Sequence, residues 1–229
     1  RRSPGRQSYP GDIFHLHARI MERAGNFKRT DGTSSSITLL PIAETMDSDL
    51  SGYIQTNLMA MTDGHLFFDV AQQKKGRHPA ISFTLSVSRV GNQTRTHLER
   101  EVAFDIMQTL AGARKAEELG RFGVELSAQT MANIKNSERL EVVFNQNMSE
   151  IYKDDFQLFI VGLFMVGFWG QKSAKQIADD KNKLFKLFED GRFKNLQLAI
   201  SGCKTLADLL KLLTSKISNI NLAIASVKL

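Results

Sequence analysis

The chain has 229 residues, of which 42% are hydrophobic, and a formal net charge of +6. This length suits one large domain or two modest ones, and the apolar content is enough for a buried core, which argues against a disordered protein. The basic residues are spread along the chain instead of forming a stripe or tail. This distribution argues against a dedicated nucleic-acid-binding protein and favours a mildly basic, solvated surface.

Cysteine content and hydropathy exclude two further classes. The single Cys203 excludes an internal disulfide and is expected to be a small, buried or half-buried residue. No apolar run reaches the roughly 18 residues that a membrane span requires. The nearest case, residues 156–169, is short and contains two glycines, which predicts a buried core helix. The sequence opens at Arg1 without a signal-peptide pattern, so we expect a processed protein or one part of a longer unit.

The first half of the chain predicts alternating helices and strands. Asp12 follows a turn and is expected to cap a helix over residues 13–25. Apolar runs of strand length follow at residues 36–44, 66–70 and 80–87. Because these runs alternate poorly between apolar and polar residues, they predict a mostly parallel sheet that helices cover on both faces.

From about His97 onward the apolar residues recur at helical spacing. The five predicted helices are marked by Leu98, Val102, Ile106 and Leu110, by Ser127 to Ile134, by Ile151 to Trp169, by Ile177 to Leu187 before Gly191, and by Leu206 to Leu213 or onward to Ile217. The predicted fold class is therefore α/β, then all-α. Residues 1–97 form part of an α/β domain, and residues 98–229 form a helical bundle.

Phosphate- and metal-binding motifs are weak or missing. The chain has no GxxxxGK[ST] segment, so it lacks the amide cradle and the lysine of a P-loop. Residues 65–69, HLFFD, have the form of a Walker B strand, but this short pattern favours an ordinary strand end over a magnesium site. His15 and His17 lie two residues apart on a predicted helix and point to different sides, so no metal site is predicted.

Arg89 is the candidate functional residue. It directly follows a predicted strand and precedes Val90 and Gly91, and ligands of open α/β sheets bind at the carboxyl ends of strands. A guanidinium there would present a rigid, permanently charged fork to phosphate oxygens. The alternative is a strand-end arginine in a surface salt bridge, and the residue pattern alone favours that alternative.

Four segments resemble the alpha subunit of F-type (rotary) ATP synthases, in the order and at about the spacing of that family. They are RRSPGRQSYPGDIFHLHARIMERAG (1–25), SITLLPIAET (36–45), YIQTNLMAMTDGHLFFD (53–69) and HPAISFTLSVSRVG (78–91). The resemblance covers residues 1–91 well and extends to about residue 148, whereas the last eighty residues match mainly in helical pattern. Four ordered blocks make the resemblance specific.

The resemblance implies a fold. The family's subunit consists of a β-barrel, a nucleotide-binding domain and a C-terminal helical bundle. Residues 1–97 would then be the C-terminal part of a P-loop-type nucleotide-binding domain, and residues 98–229 the bundle. The P-loop would belong to a separate N-terminal alpha fragment or be lost. A half domain would expose its sheet edge and one core face, which predicts an obligate partner.

The resemblance also implies site residues. Arg89 matches the arginine finger that the family's alpha subunit inserts into the catalytic site of the neighbouring beta subunit. Ser86 and Val87 should line the same interface. Pro79 and Gln146 match residues of the family's non-catalytic nucleotide site.

Several residues depart from the family's pattern. His78 stands where the family has arginine, with Arg77 one place earlier, and Met148 stands in place of a second glutamine. Ala60 replaces a serine near the catalytic phosphate, and Gln55 replaces a proline. The changes at His78 and Met148 affect the non-catalytic nucleotide pocket. At the catalytic interface, the resemblance implies that Arg89 is kept while its surroundings have changed.

Three functions follow as hypotheses. The first is an alpha-type subunit that completes the alpha/beta hexamer and donates Arg89 for ATP synthesis or hydrolysis coupled to proton transport, without being an enzyme alone. The second is a structural scaffold of the same assembly with silent nucleotide sites. The third, a ring-forming nucleic-acid motor, requires a P-loop and a nucleic-acid-binding module, and neither is visible.

The resemblance implies cofactors, partners and a location. ATP or ADP with Mg²⁺ would be held mainly by partner chains. The partners would be beta subunits, a P-loop-bearing alpha fragment and stalk subunits, without nucleic acid or membrane insertion. The expected location is peripheral on the matrix side of the mitochondrial inner membrane, and the alternative is a bacterial or plastid coupling membrane.

Overall fold

The computed structural model describes residues 2–5, 8–45, 49–121 and 127–227. The first part of the chain contains α1 (Ile13–Met21), β1 (Gly25–Lys28), β2 (Ser34–Ile37), α2 (Tyr53–Met61), β3 (Gly64–His65), α3 (Val70–Lys74), β4 (Val87–Ser88) and α4 (Gly91–Thr94). The second part contains α5 (His97–Arg121), α6 (Ala128–Phe144), α7 (Asp154–Met165), α8 (Ala174–Glu189), α9 (Lys194–Ser201) and α10 (Leu206–Ser226).

The sheets are small and antiparallel, so the predicted parallel sheet is wrong for the described residues. β1 pairs with β2, with Gly25 opposite Ile37, and β3 pairs with β4, with His65 opposite Val87. Each ladder has two strands. The result is a helix-rich fold with two short antiparallel ladders.

The predicted strands 66–70 and 80–87 lie side by side, but they run in opposite directions. Phe68 forms an isolated antiparallel bridge with Ile81, and α3 already begins at Val70. The connection between the two runs is shorter than the roughly one dozen residues that a parallel crossover needs, so the chain turns straight back.

The predicted strand 36–44 is also wrong beyond its first two residues. β2 ends at Ile37, and residues 38–44 have no strand pairing in the described part of the chain. Leu40 and Ile42 are 80% and 95% exposed. A β-strand requires a hydrogen-bonded neighbouring strand, and no described strand pairs with residues 38–44.

The first helix is confirmed, although it is shorter than predicted. Asp12 occupies the N-cap position of α1, but its side chain makes no capping hydrogen bond. The helix ends at Met21, and Gly25, with φ of 155°, begins β1 instead of ending the helix.

Helices α5 to α10 enclose the main hydrophobic core. The five predicted helices of this half are confirmed, and their apolar faces meet in one cluster of buried side chains. Its largest fully buried members include Phe156, Phe159, Leu163, Trp169, Ile177, Leu184, Ile200, Leu209, Leu213 and Ile220.

Helix α7 is the buried core helix that residues 156–169 predicted. Six of its residues are buried. It ends at Met165, before Gly167 takes a left-handed conformation with φ of 74°. Within the described residues, no helix combines the length and the apolar character needed to cross a membrane.

Local signals in the sequence fix the ends of the later helices. Ser173 with Gln176 begins α8 in a capping box, and Thr205 with Asp208 does the same for α10. Gly191, with φ of 72°, follows α8 as predicted. Helix α9 was not predicted, although Leu196 and Ile200 are both buried on it at a spacing of four residues.

The two halves of the chain differ in burial. The main core is built from residues between Leu98 and Ile224. Among the described residues before 97, Phe67 is the only buried hydrophobic residue, with 6% of its surface exposed. The division into 1–97 and 98–229 stays a prediction.

Candidate functional site

The backbone of Arg89 is fixed at the end of β4. Its N–H donates to the carbonyl oxygen of Asp63 at 2.8 Å, and the N–H of Val90 donates to the same oxygen at 3.1 Å. Asp63 follows α2 and precedes β3, so the turn after β4 is attached to the connection between these two elements.

The guanidinium of Arg89 lies against the carboxyl end of α2. It donates to the carbonyl oxygens of Thr62 at 2.7 Å, of Ala60 at 3.4 Å, and of Met59. The last carbonyls of a helix lack intrahelical donors and carry partial negative charge, so they suit a cation. The side chain is exposed, and no carboxylate within the described residues pairs with it. Its charge is therefore not neutralised within the described part of the chain.

Ser86 and Val87 lie beside Arg89 and differ in what they expose. The Ser86 hydroxyl donates to the carbonyl of Ser82 at 2.6 Å and accepts the N–H of Phe67 at 3.0 Å. Its hydrogen-bonding capacity is thus used within the protein. Val87 is paired with His65 and remains 45% exposed, so it forms part of the surface around Arg89.

His78, Pro79 and Gln146 come together through backbone contacts. The N–H of Gln146 donates to the carbonyl of His78 at 2.7 Å, and the N–H of His78 donates to Oδ1 of Asn145 at 3.0 Å. The His78–Pro79 peptide bond is cis. Residues far apart in the sequence thus form one junction, which we define as His78, Pro79, Asn145 and Gln146.

The side chains of the junction are partly exposed to solvent. His78 and Pro79 are exposed. The Gln146 amide donates to the carbonyl of Glu150, and Met148 is 99% exposed. The junction therefore offers an open surface on one side.

Arg77 does not take the place of the arginine that His78 replaces. It is buried, and its guanidinium carbon lies 4.2 Å from the centre of the Phe83 ring. Burial lowers the pKa of Arg77, whereas the charges of Glu141 and Asp69 oppose that effect. This guanidinium is buried, with no hydrogen-bond partner for its Nε among the described residues, so it is not exposed at the surface of the junction.

Asp69, the end of the Walker B-like run, is a helix cap. Its carboxylate accepts the N–H of Ala71 at 2.8 Å at the start of α3. No cluster of three or more His, Cys, Asp or Glu side chains suited to a metal ion occurs in the described parts of the chain.

The six predicted site residues make their contacts in two groups, one of Ser86, Val87 and Arg89 and one of His78, Pro79 and Gln146. No hydrogen bond or ion pair of the described residues joins Arg89 to His78 or Gln146. A cavity of about 560 Å³ lies elsewhere, between α5, α6, the end of α7 and α10. It contains none of the six residues.

Two residues, one in the junction and one beside it, were missed from the sequence. Asn145 contributes the side-chain acceptor for His78, and Lys181 on α8 donates to the carbonyl of Asn145. Asn145 gave no signal before the fold was known. Lys181 did, because the spacing of Ile177, Lys181 and Leu184 places a lysine on the buried stripe of a helix.

Comparison with models of known protein families finds a match over the first part of the chain. Residues 1–88 match the model of the ATP synthase alpha/beta family, nucleotide-binding domain. The match ends one residue before Arg89.

Individual relatives extend the similarity along the chain. The chain is 34% identical over 220 residues to ATP synthase subunit alpha of Neorickettsia sennetsu, covering 90% of this chain and 43% of the relative. It is 37% identical to the subunit of Lactiplantibacillus plantarum, covering 81% and 37%, and 38% identical to that of Dictyoglomus thermophilum, covering 78% and 35%. The chain thus spans less than half of the length of these relatives.

The chain therefore belongs to the ATP synthase alpha/beta family. Within that family it is of the alpha type, since these relatives are alpha subunits and their similarity covers most of the chain.

Proposed function

We propose that this chain is an alpha-type subunit of an ATP synthase catalytic head, and that it donates Arg89 as an arginine finger to the catalytic site of a neighbouring beta subunit. In that role it completes the alpha/beta hexamer and supports ATP synthesis or hydrolysis coupled to proton transport. Chemistry would take place in the beta subunit, so the chain alone would not turn over nucleotide.

The state of Arg89 is the observation that carries the proposal. Its backbone is fixed by Asp63, while the partners of its exposed guanidinium among the described residues are carbonyls at the end of α2. Carbonyl dipoles orient a guanidinium but leave its charge in place, whereas a carboxylate would neutralise that charge. A phosphoryl group in transfer, with charge spread over its oxygens, could then exchange places with these carbonyls.

The test is the ATPase rate of the assembled complex with Arg89→Ala and Arg89→Lys. Loss of an arginine finger is expected to lower the rate by about 10³–10⁵-fold while assembly survives. The lysine variant should also fail, because an ammonium lacks the planar fork. Arg95→Ala is the matched control, since Arg95 is another exposed arginine of the same segment.

A normal ATPase rate in an assembled Arg89→Ala complex would overturn the arginine-finger role. It would favour the alternative function, a structural scaffold with silent sites. The use of the Gln146 amide by Glu150 and the exposure of Met148 are the features that speak for that alternative at the non-catalytic site.

We expect the junction to contact the base of a nucleotide but not its phosphates. His78 and Pro79 are exposed and adjacent to Gln146, so an adenine ring could lie on Pro79. Gln146 would first have to turn its amide from Glu150. ATP or ADP with Mg²⁺ would be held mainly by partner chains, because this chain carries no GxxxxGK[ST] segment.

Exposed apolar surface supports the proposed partners. Before residue 91 it includes Leu40, Ile42, Leu66 and Phe68, which are between 64% and 95% exposed. We propose that beta subunits, stalk subunits and a P-loop-bearing alpha segment, expected on a separate polypeptide, bury this surface. Purification of this chain with mass spectrometry of its intact partners tests the proposal. Recovery of the chain with neither beta subunits nor a P-loop-bearing alpha segment would contradict it.

The proposed location is peripheral to a coupling membrane, in contact with other subunits rather than lipid. The relatives named above are bacterial. The matrix side of the mitochondrial inner membrane remains our prediction, and fractionation of the source cells would check it.

A further inference from the structure

Lys181 is a buried cation that the proposed function does not use. It is 4% exposed and lies on α8 between Ile177 and Leu184, which are both fully buried. An ammonium at such a position loses its hydration, so its free energy depends on the acceptors around it.

These acceptors belong to the end of α6. The Lys181 amine donates to the carbonyl of Asn145 and, at 3.4 Å, to that of Val142. The ring of Tyr152 lies 5.8 Å from the same nitrogen, and the Tyr152 hydroxyl donates to Glu150 at 2.8 Å. One amine thus contacts two carbonyls at the end of α6, that of the C-cap residue Asn145 and that of Val142, which also accepts the N–H of Asn145 at 3.3 Å.

The same backbone segment holds the nucleotide-site candidates. Asn145 accepts the N–H of His78 through its side chain, and the next residue, Gln146, donates to the His78 carbonyl. A continuous chain of contacts therefore runs from Lys181 to Asn145 and on to His78.

We propose that Lys181 is a positioning residue whose amine holds the junction of His78, Pro79, Asn145 and Gln146 in place. The inference deepens the proposed function, since the junction carries the candidate nucleotide contacts. It concerns the position of those contacts and not their chemistry.

The direction of the pH effect follows from burial. Burial lowers the pKa of Lys181 from 10.5 to about 8, and the Glu150 carboxylate opposes this shift. Of the other described groups around it, α6 contributes carbonyls, Tyr152 contributes a ring whose hydroxyl stays neutral, and no ionisable group of α7 or α10 adds to the shift. Opening the junction would admit water and raise the pKa again. Linkage then requires the closed junction to gain stability as pH rises above about 8.

Hydrogen exchange of the full chain tests this without nucleotide. Peptides containing the amides of His78 and Gln146 are followed at about pH 7, 8 and 9.5, and exchange is corrected for the intrinsic rate and referred to core amides of α10. In the wild type, protection of these two amides should rise about ten-fold from pH 7 to 9.5. Lys181→Met should abolish the rise and show less protection than the wild type at pH 9.5, where neither side chain is charged. Lys186→Met, an exposed lysine of the same helix, should behave as the wild type.

Protection that is independent of pH in the wild type would overturn the proposal, and so would an equal rise in Lys181→Met. If that variant loses protection throughout α8 and α10, the wild-type pH series decides alone. No nucleotide is added, so the exchange result does not depend on whether the junction binds nucleotide. Conversely, the Arg89 test does not depend on whether Lys181 positions the junction.

Discussion

At the scale of single residues, some charged side chains of the bundle lie among apolar neighbours. The loss of a hydrogen-bond partner there is costly, because water cannot replace it. Trp169 is 1% exposed, and its indole N–H donates to the Asp180 carboxylate at 3.2 Å. Lys172 pairs with the same carboxylate oxygen at 2.7 Å and lies 4.5 Å from the centre of the Phe168 ring. Asp180 therefore satisfies a buried donor and a half-buried cation together.

We expect Asp180→Ala to lower the free energy of unfolding by about 2–3 kcal/mol, because a buried indole N–H and an ammonium lose their acceptor. Asp180→Asn should cost less, since its amide oxygen still accepts from Trp169. Urea unfolding followed by the fluorescence of Trp169, the only tryptophan, measures both. Asp179→Ala is the neighbouring control, and an equal loss in that variant would contradict the assignment.

At the scale of elements, α7 and α10 approach closely at a glycine. A Cβ added to Gly162 would clash with Cδ1 of Leu213 and lie 3.3 Å from Cδ2 of Leu209. Both leucines are fully buried, so neither has space to move. The absence of a side chain at Gly162 therefore sets the distance between these helices.

Gly162→Ala should lower the free energy of unfolding by about 1–3 kcal/mol through overpacking. Gly112→Ala on α5 is the opposite case, since its new methyl group would meet only Nδ2 of Asn133 at 3.9 Å. There we expect a gain of about 0.5–1 kcal/mol from the lower backbone entropy of alanine. Chemical denaturation of both variants gives the signs, and a gain at Gly162 would show that α7 and α10 separate easily.

At the scale of the whole molecule, the chain exposes apolar surface mainly in its first half. Leu40 and Ile42 are examples, at 80% and 95% exposure. Apolar surface of this kind favours association, because water is released when a partner covers it.

Leu40→Ser with Ile42→Ser should reduce self-association of the isolated chain and also reduce the recovery of ATP synthase subunits with it. Size-exclusion chromatography with light scattering measures the first effect, and quantitative mass spectrometry of captured partners measures the second. Leu198→Ser with Leu222→Ser, at 67% and 72% exposure in the bundle, is the matched control. Equal losses in both variants would mean that the segment around Leu40 is no specific interface.

Some residues of the candidate site were named from the sequence, but Asn145 was missed and the arrangement was not predicted. The resemblance supplied Arg89, Pro79 and Gln146 by number. Only the folded chain shows that Gln146 meets His78 through the backbone and that the Arg89 guanidinium is held by the end of α2. Hydrogen bonds between residues so distant in the sequence leave no periodic pattern, so no local reading could provide them.

The sequence by itself determined five of the six helices described after residue 97, and the family, because helical periodicity and ordered motifs are local properties of the chain. Only the tertiary structure decided the strands of the first half. Residues 36–44 and 66–70 have the composition of buried strands, but strand formation depends on a neighbouring strand to complete its hydrogen bonds. Within the described residues this neighbour is absent or antiparallel, so the apolar runs become exposed segments and short ladders.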